Sequence, residues 1–264
     1  MGAAVCATAA LLVFAACRED SESTHAAAAS DLPRGSEPVE LDPASFSADI
    51  DNRYWPMKPG MRWTYSEVDE KGKEVVVVVT VTSETKKIAN GITARVVRDT
   101  VTEDGELIED TFDWYAQDSD GNVWYLGEDT AEFEDGKVKT TRGSWEAGVD
   151  GALPGVIVPA DPVDDMKYRQ EFYAGEAEDN GEVLGVGEQV EVPADHYVDA
   201  LLTKDTTALE PDVVEFKFYA PDVGPVLTVG VSGGGGREEL VKVEQVSMQA
   251  ARAAATAPLG KQYD

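Results

Sequence analysis

The stretch DWYAQDSDGNVWYLGED, residues 113–129, decides the fold, because its centre admits two readings. D-S-D-G-N spaces oxygen-bearing side chains as a calcium loop between helices does, but it also contains Asp120-Gly121, a preferred pair for the turn of a β-hairpin. An EF-hand loop needs ligands at its positions 1, 3, 5 and 12 and a glycine at position 6. With Asp118 first, Asp120, Asn122 and Asp129 fall on ligand positions but Val123 takes the place of the glycine. With Ala116 first, Gly121 is in place, but Ala116 and Gly127 stand where ligands must be. The flanks, Phe112-Asp113-Trp114-Tyr115 and Val123-Trp124-Tyr125-Leu126, are aromatic and β-branched, which suits strands. The segment therefore reads as a hairpin, with Trp114 and Trp124 near each other across its two strands.

Outward from this hairpin the same pattern repeats. VVVVVTVT at 75–82 is too β-branched for a helix. A strand over 92–102 follows Asn90-Gly91, and one over 106–117 follows Asp104-Gly105. A first strand begins with Trp63 and Tyr65, and further strands are expected at 123–127, 137–142, 168–173, 178–186, 189–192, 197–206, 213–219, 226–232 and 237–246. No helix-period apolar stripe interrupts them, which disfavours folds built from crossover helices. The expectation is a mainly β protein: a single antiparallel meander over 49–246 forming a curved sheet, half-barrel or barrel-like sandwich. The long stretch 143–167, with Trp145 and three prolines, reads as irregular, either covering a cavity mouth or plugging an open end of the sheet with Val156-Ile157-Val158.

The ends differ from the middle. Residues 1–17, MGAAVCATAALLVFAAC, carry no charge, which marks a targeting segment too short to span a bilayer. Phe14-Ala15-Ala16-Cys17 resembles the bacterial lipobox, in which the cysteine is acylated and becomes the mature N-terminus. The resemblance implies lipidation at Cys17, and a plain signal peptide is the alternative. Residues 18–48, rich in Ser, Ala, Pro and acid, have the composition of a disordered acidic tether. Residues 247–264 are Ala-rich, with a short helix expected at 248–255, a break at Pro258 and a flexible tail.

Both cysteines, Cys6 and Cys17, lie in the targeting segment, so the domain must be held by its apolar core, which 42% hydrophobic residues make feasible. A net charge of −29, from 51 acidic and 22 basic residues, repels nucleic acid and anionic membrane surfaces. It suits either a solvated acidic surface or the attraction of cations and basic partners. Thirteen of the acids lie between Glu103 and Asp135 with no Lys or Arg among them, so a cation site is conceivable, with Asp118, Asp120, Glu128 and Asp129 as its residues. Oxygen ligands suit calcium rather than zinc, and no other cofactor is implied. Catalytic patterns are absent: His25 and His196 are the only histidines, and no nucleophile elbow, H-E-x-x-H helix, P-loop or dinucleotide glycine pattern occurs. The sequence reads as non-enzymatic.

Five motifs carry a family resemblance: Asn52-x-Tyr54-x-Pro56-x-Lys58-Pro59-Gly60-x-x-Trp63-x-Tyr65; Asp113-Trp114-Tyr115-Ala116-Gln117-Asp118 with Gly121-Asn122-Val123-Trp124-Tyr125; Gly143-Ser144-Trp145-Glu146-Ala147-Gly148; Val192-Pro193-Ala194; and Tyr219-Ala220-Pro221-x-Val223-Gly224. Over about residues 50–245 the chain resembles a group of exported β-rich bacterial lipoproteins to which no activity is attached. More distantly it is similar to the half-barrels of periplasmic lipoprotein carriers, which hold acyl chains on a concave apolar face. The expectation is an anchored envelope protein that meets a hydrophobic small molecule or a partner protein on a concave aromatic face, with Trp55, Trp63, Trp114, Trp124 and Trp145 as candidate lining.

Overall fold

The computed structural model describes residues 32–69, 73–233 and 236–263; the targeting segment, Cys17 and the tether as far as residue 31 lie outside them. In chain order the strands are β1 (Phe46–Ser47), β2 (Met61–Asp69), β3 (Glu74–Lys87), β4 (Thr93–Glu103), β5 (Glu106–Asp118), β6 (Val123–Glu134), β7 (Lys137–Thr140), β8 (Trp145–Glu146), β9 (Leu153–Val158), β10 (Lys167–Arg169), β11 (Glu171–Phe172), β12 (Asp179–Val192), β13 (Asp195–Thr207), β14 (Val214–Ala220), β15 (Gly224–Ser232) and β16 (Gly236–Gln245). The helix α1 (Met248–Thr256) follows. All pairings are antiparallel and belong to one sheet, which runs β10-β12-β13-β14-β15-β16-β2-β3-β4-β5-β6-β9-β11.

The two ends of that path are consecutive in the chain. β10 and β11 are parted by Gln170 alone; β10 pairs with β12, and β11 pairs with β9. One segment thus bonds to both edges and bends the sheet into a nearly closed barrel, which removes the open edges that invite aggregation. Arg169 anchors this seam. Its guanidinium donates to the carbonyl oxygen of Pro154 at 3.1 and 2.7 Å and to those of Gly35 and Glu37 at 2.8 and 2.7 Å.

Turn chemistry fixes the hairpins. Asp104-Gly105 and Asp135-Gly136 both hold φ between 51° and 82°, the left-handed pair that matches strand twist. The second of these extends β6 to Glu134, well past the expected end at 127. D-S-D-G-N is also a turn: Gly121 N–H bonds to Asp118 O at 3.0 Å and Asp118 N–H to Asn122 O at 3.0 Å.

Three expectations are corrected. The stretch 143–167 is wall rather than lid or plug, because β8 and β9 lie against the free edge of β6 and bury Val156 and Val158. The domain begins before residue 49: Leu32 is buried, Pro33 O accepts the N–H of Arg169, and Phe46 pairs opposite Asp118. The C-terminal segment is packed rather than loose. Ser247 caps α1, and the buried Arg98 on β4 draws the chain down by donating to the carbonyls of Ala254 and Ala257, both at 2.8 Å.

Candidate functional site: the barrel interior

The two ends of the barrel differ. At one end the residues between β1 and β2 fold across the floor. Asn52 ties them down by donating to Gly121 O at 2.9 Å and Pro159 O at 3.3 Å, while its own carbonyl receives the N–H of Tyr54. Trp55 lies 5.4 Å from the Tyr115 ring and 6.1 Å from the Tyr219 ring, and it presses against Gly224, whose φ of 113° only glycine adopts readily. Toward the other end a cavity of about 210 Å³ is lined by Glu67, Glu215, Lys217, Thr228, Gly230 and Glu238.

Strand alternation places two chemistries inside the wall. On β5 the inward residues are Glu109, Thr111, Asp113 and Tyr115, while Asp110, Phe112, Trp114 and Ala116 face outward under other parts of the chain. Tyr115 stacks on Tyr125 at 4.9 Å, and Tyr125 meets the edge of Trp145 at 5.4 Å. The Tyr125 hydroxyl lies 2.7 Å from Asp113 Oδ1 and 3.0 Å from Glu128 Oε2. One O–H can donate to only one of the two carboxyls, so the other must supply a proton to the phenol oxygen. Across the lumen the Trp145 indole donates to Glu171 Oε2 at 2.7 Å.

Burial, reinforced by neighbouring acids, pushes these carboxyls upward: Asp113 to about 7, Glu171 to about 8 and Glu128 to about 9. Tyr125 opposes the shift at Asp113 and Glu128, and Trp145 opposes it at Glu171. Glu238 rises to about 7, burial again leading, with Lys217 pulling the other way. Lys217 loses hydration, yet Asp205 at 3.1 Å and Glu215 at 3.6 Å hold its proton well above the usual range. Asp205 is completed by Thr203 at 2.9 Å and Gln170 at 3.1 Å.

Two polar atoms remain unmatched. Asp99 Oδ1 on β4 and the hydroxyl of Tyr168 on β10 are buried without a hydrogen-bond partner among the described residues. Asp99 sits among Asp113, Glu109 and Glu238, and Tyr168 looks toward Asp205. Lys217 lines the cavity with Glu215 and Glu238, and its side chain keeps 30% of its accessible surface there. The inward face of the wall is aromatic and rich in protonatable acids.

The residues singled out from the sequence divide between the two sides of the wall. Trp63 and Trp145 face inward; Trp63 donates to Val223 O at 2.8 Å near the floor. Trp114 and Trp124 face outward, Trp114 under Lys86, whose ammonium is 3.1 Å from the ring centre, and Trp124 under Phe46 at 5.9 Å. The four therefore form no common aromatic face. The acidic set is not brought together either. Asp118 spends its carboxylate on the turn, accepting from Asp120 N, Asn122 N, Asn122 Nδ2 and Trp124 Nε1 at 2.7–3.0 Å. Asp120 is exposed, Glu128 faces the interior and its neighbour Asp129 faces solvent. No three His, Cys, Asp or Glu side chains among the described residues converge as metal ligands. The interior acids were missed because 51 acids look interchangeable, although Glu109, Thr111, Asp113 and Tyr115 do form a polar set at period two beside the apolar set Phe112, Trp114 and Ala116.

No family model matches the chain, and no curated protein matches its sequence. Among solved structures it is similar to a putative lipoprotein from Parabacteroides distasonis ATCC 8503, with 11% identity, a TM-score of 0.43, and 73% of this chain and 99% of that one covered. It is also similar to a β-barrel-like protein of domain of unknown function DUF1849 from Brucella abortus, with 14% identity, a TM-score of 0.36, and coverage of 71% and 98%. At these identities the likeness is one of fold at a distance, and neither protein lends a role to this chain.

Proposed function

We propose that the protein is a non-enzymatic binding protein of the cell envelope, anchored by a lipid on Cys17, whose barrel holds a small amphipathic ligand. The observation that carries this reading is the asymmetry of the barrel: one end is covered by Trp55 and its neighbours, and toward the other lies a cavity of about 210 Å³ lined by Glu67, Glu215, Lys217, Thr228 and Glu238. A wall of tyrosine and tryptophan accepts apolar ligand surface, and fixed carboxyls and phenols orient its polar end. The anchor rests on the uncharged run ending in Phe14-Ala15-Ala16-Cys17.

Two measurements test it. In bacterial cells making the full chain, labelled palmitate should enter the protein and the protein should fractionate with membranes, and Cys17→Ser should abolish both. The neutral fluorophore N-phenyl-1-naphthylamine should bind the purified protein saturably with enhanced emission. Thr228→Trp, which fills the mouth cavity, should remove that binding while leaving the thermal unfolding midpoint within a few degrees. Equal binding to both proteins would overturn the interior as the binding site.

A further inference from the structure

We propose that the interior takes an organic cation, a primary amine or short polyamine whose ammonium groups lie among the inward carboxyls. This rests on the reading of the barrel as a ligand-holding cavity and names the class of ligand. Four observations point the same way.

The first is charge balance within the wall. Lys217 faces the cluster, and it is taken by Asp205 and Glu215. Asp99, Glu109, Asp113, Glu128 and Glu171 form no ion pair among the described residues, although Lys217 is near enough to act on Glu171. Without a cation beside them these carboxyls hold protons, and a cationic group from outside would pair with their ionised form. The second is the unmatched Asp99 Oδ1, which has acceptor capacity and no donor to fill it. In its ionised form a carboxylate is an acceptor only, and a ligand N–H or O–H would complete it. The third is the aromatic lining. Tyr65 lies near Asp99, and the Tyr115–Tyr125–Trp145 group lies beside Asp113, Glu128 and Glu171, so apolar ring surface for flanking methylenes adjoins the acids. The fourth is spacing: the acids are strung along the lumen and no three converge on one point, whereas a calcium ion needs six or more oxygens at about 2.3–2.6 Å. A chain-like cation with separated charges suits the spacing, and a compact metal ion does not. An ammonium beside a buried carboxyl also favours its ionised form, which offsets the cost that burial imposes. Around the mouth, the turns with Glu103, Asp104 and Glu106 and with Glu134 and Asp135 add a negative field that draws cations in.

The test is calorimetric titration of spermidine into the folded Cys17→Ser chain at fixed ionic strength, beside titration with N-phenyl-1-naphthylamine. Saturable spermidine binding is expected, weakened at least about tenfold by Asp99→Asn with Glu171→Gln and lost in Thr228→Trp. Diacetylated spermidine, of similar length but with its terminal amines neutralised, should fail to compete on the unaltered protein; this reads the charge requirement even if the carboxamide variants do not fold. Spermidine binding that persists in Thr228→Trp would place the amine on the acidic outer surface and overturn the proposal. Naphthylamine binding without spermidine binding would overturn the cation and leave the cavity standing, and binding of neither probe would overturn both.

Discussion

Arg98 has no exposed surface, and its whole donor set is used within the protein. Nε meets Asp110 Oδ1 at 2.8 Å, Nη1 meets two carbonyls of the C-terminal segment, and the ring of Tyr263 covers the guanidinium at 4.3 Å. Asp110 in turn receives Gly260 N–H at 2.6 Å. Removing one member of a buried pair leaves the other charged and unhydrated. Asp110→Ala should therefore cost about 3–5 kcal/mol in urea unfolding, whereas replacing Arg98 and Asp110 together by Met and Leu should recover part of the loss. Little of this arrangement is legible from the sequence, where Arg98 and Asp110 are ordinary charged residues in strands. By contrast, the role of Asp118 could be read, because an Asp opening a tight turn bonds forward to its own backbone and the glycine three residues on permits the bend.

Among the elements, the short pair β10 and β11 does the most for its length. Gly155 on β9 lies against this seam, and a Cβ there would overlap the carbonyl oxygens of Arg169 and Gln170. Gly155→Ala should part β9 from β11, destabilise the protein by roughly 1–3 kcal/mol and speed hydrogen exchange at the amides of 169–173 more than elsewhere. The long hairpin strands were legible because Asn-Gly and Asp-Gly turns bracket β-branched runs. The seam was not. A strand at 168–173 is evident from its composition, but only the tertiary arrangement makes its two halves serve different neighbours. The expected gap at 187–188 has a similar cause: β12 runs through it by taking register shifts near Gly187 rather than ending.

At the scale of the whole molecule, the interior acids tie stability to pH. Asp113, Glu238, Glu171 and Glu128 rise from ordinary carboxyl values near 4 to about 7, 7, 8 and 9 on folding. Between those limits the folded state binds more protons than the unfolded chain, so the unfolding free energy falls as pH rises. Their contribution is fully present below the unfolded value and is lost by about pH 9. The unfolding midpoint should decline from pH 5 to pH 9 by ~2–4 °C for each kcal/mol lost, and Glu128→Gln should flatten the slope. The barrel class was legible from periodicity and turns. The lumen was not, because strand alternation tells which residues share a face but not which face is turned inward.

The pairing of β16 with β2 carries a consequence for how the molecule is made. The first long strand finds its partner roughly 170 residues later, which is a late, entropically costly contact. Until residues 236–245 arrive, the edge of β2 not bonded to β3 stands open as a template able to recruit a neighbouring chain. A net charge of −29 then acts before any ligand is met, since nascent copies that repel one another are kept apart for the interval in which the wall is incomplete.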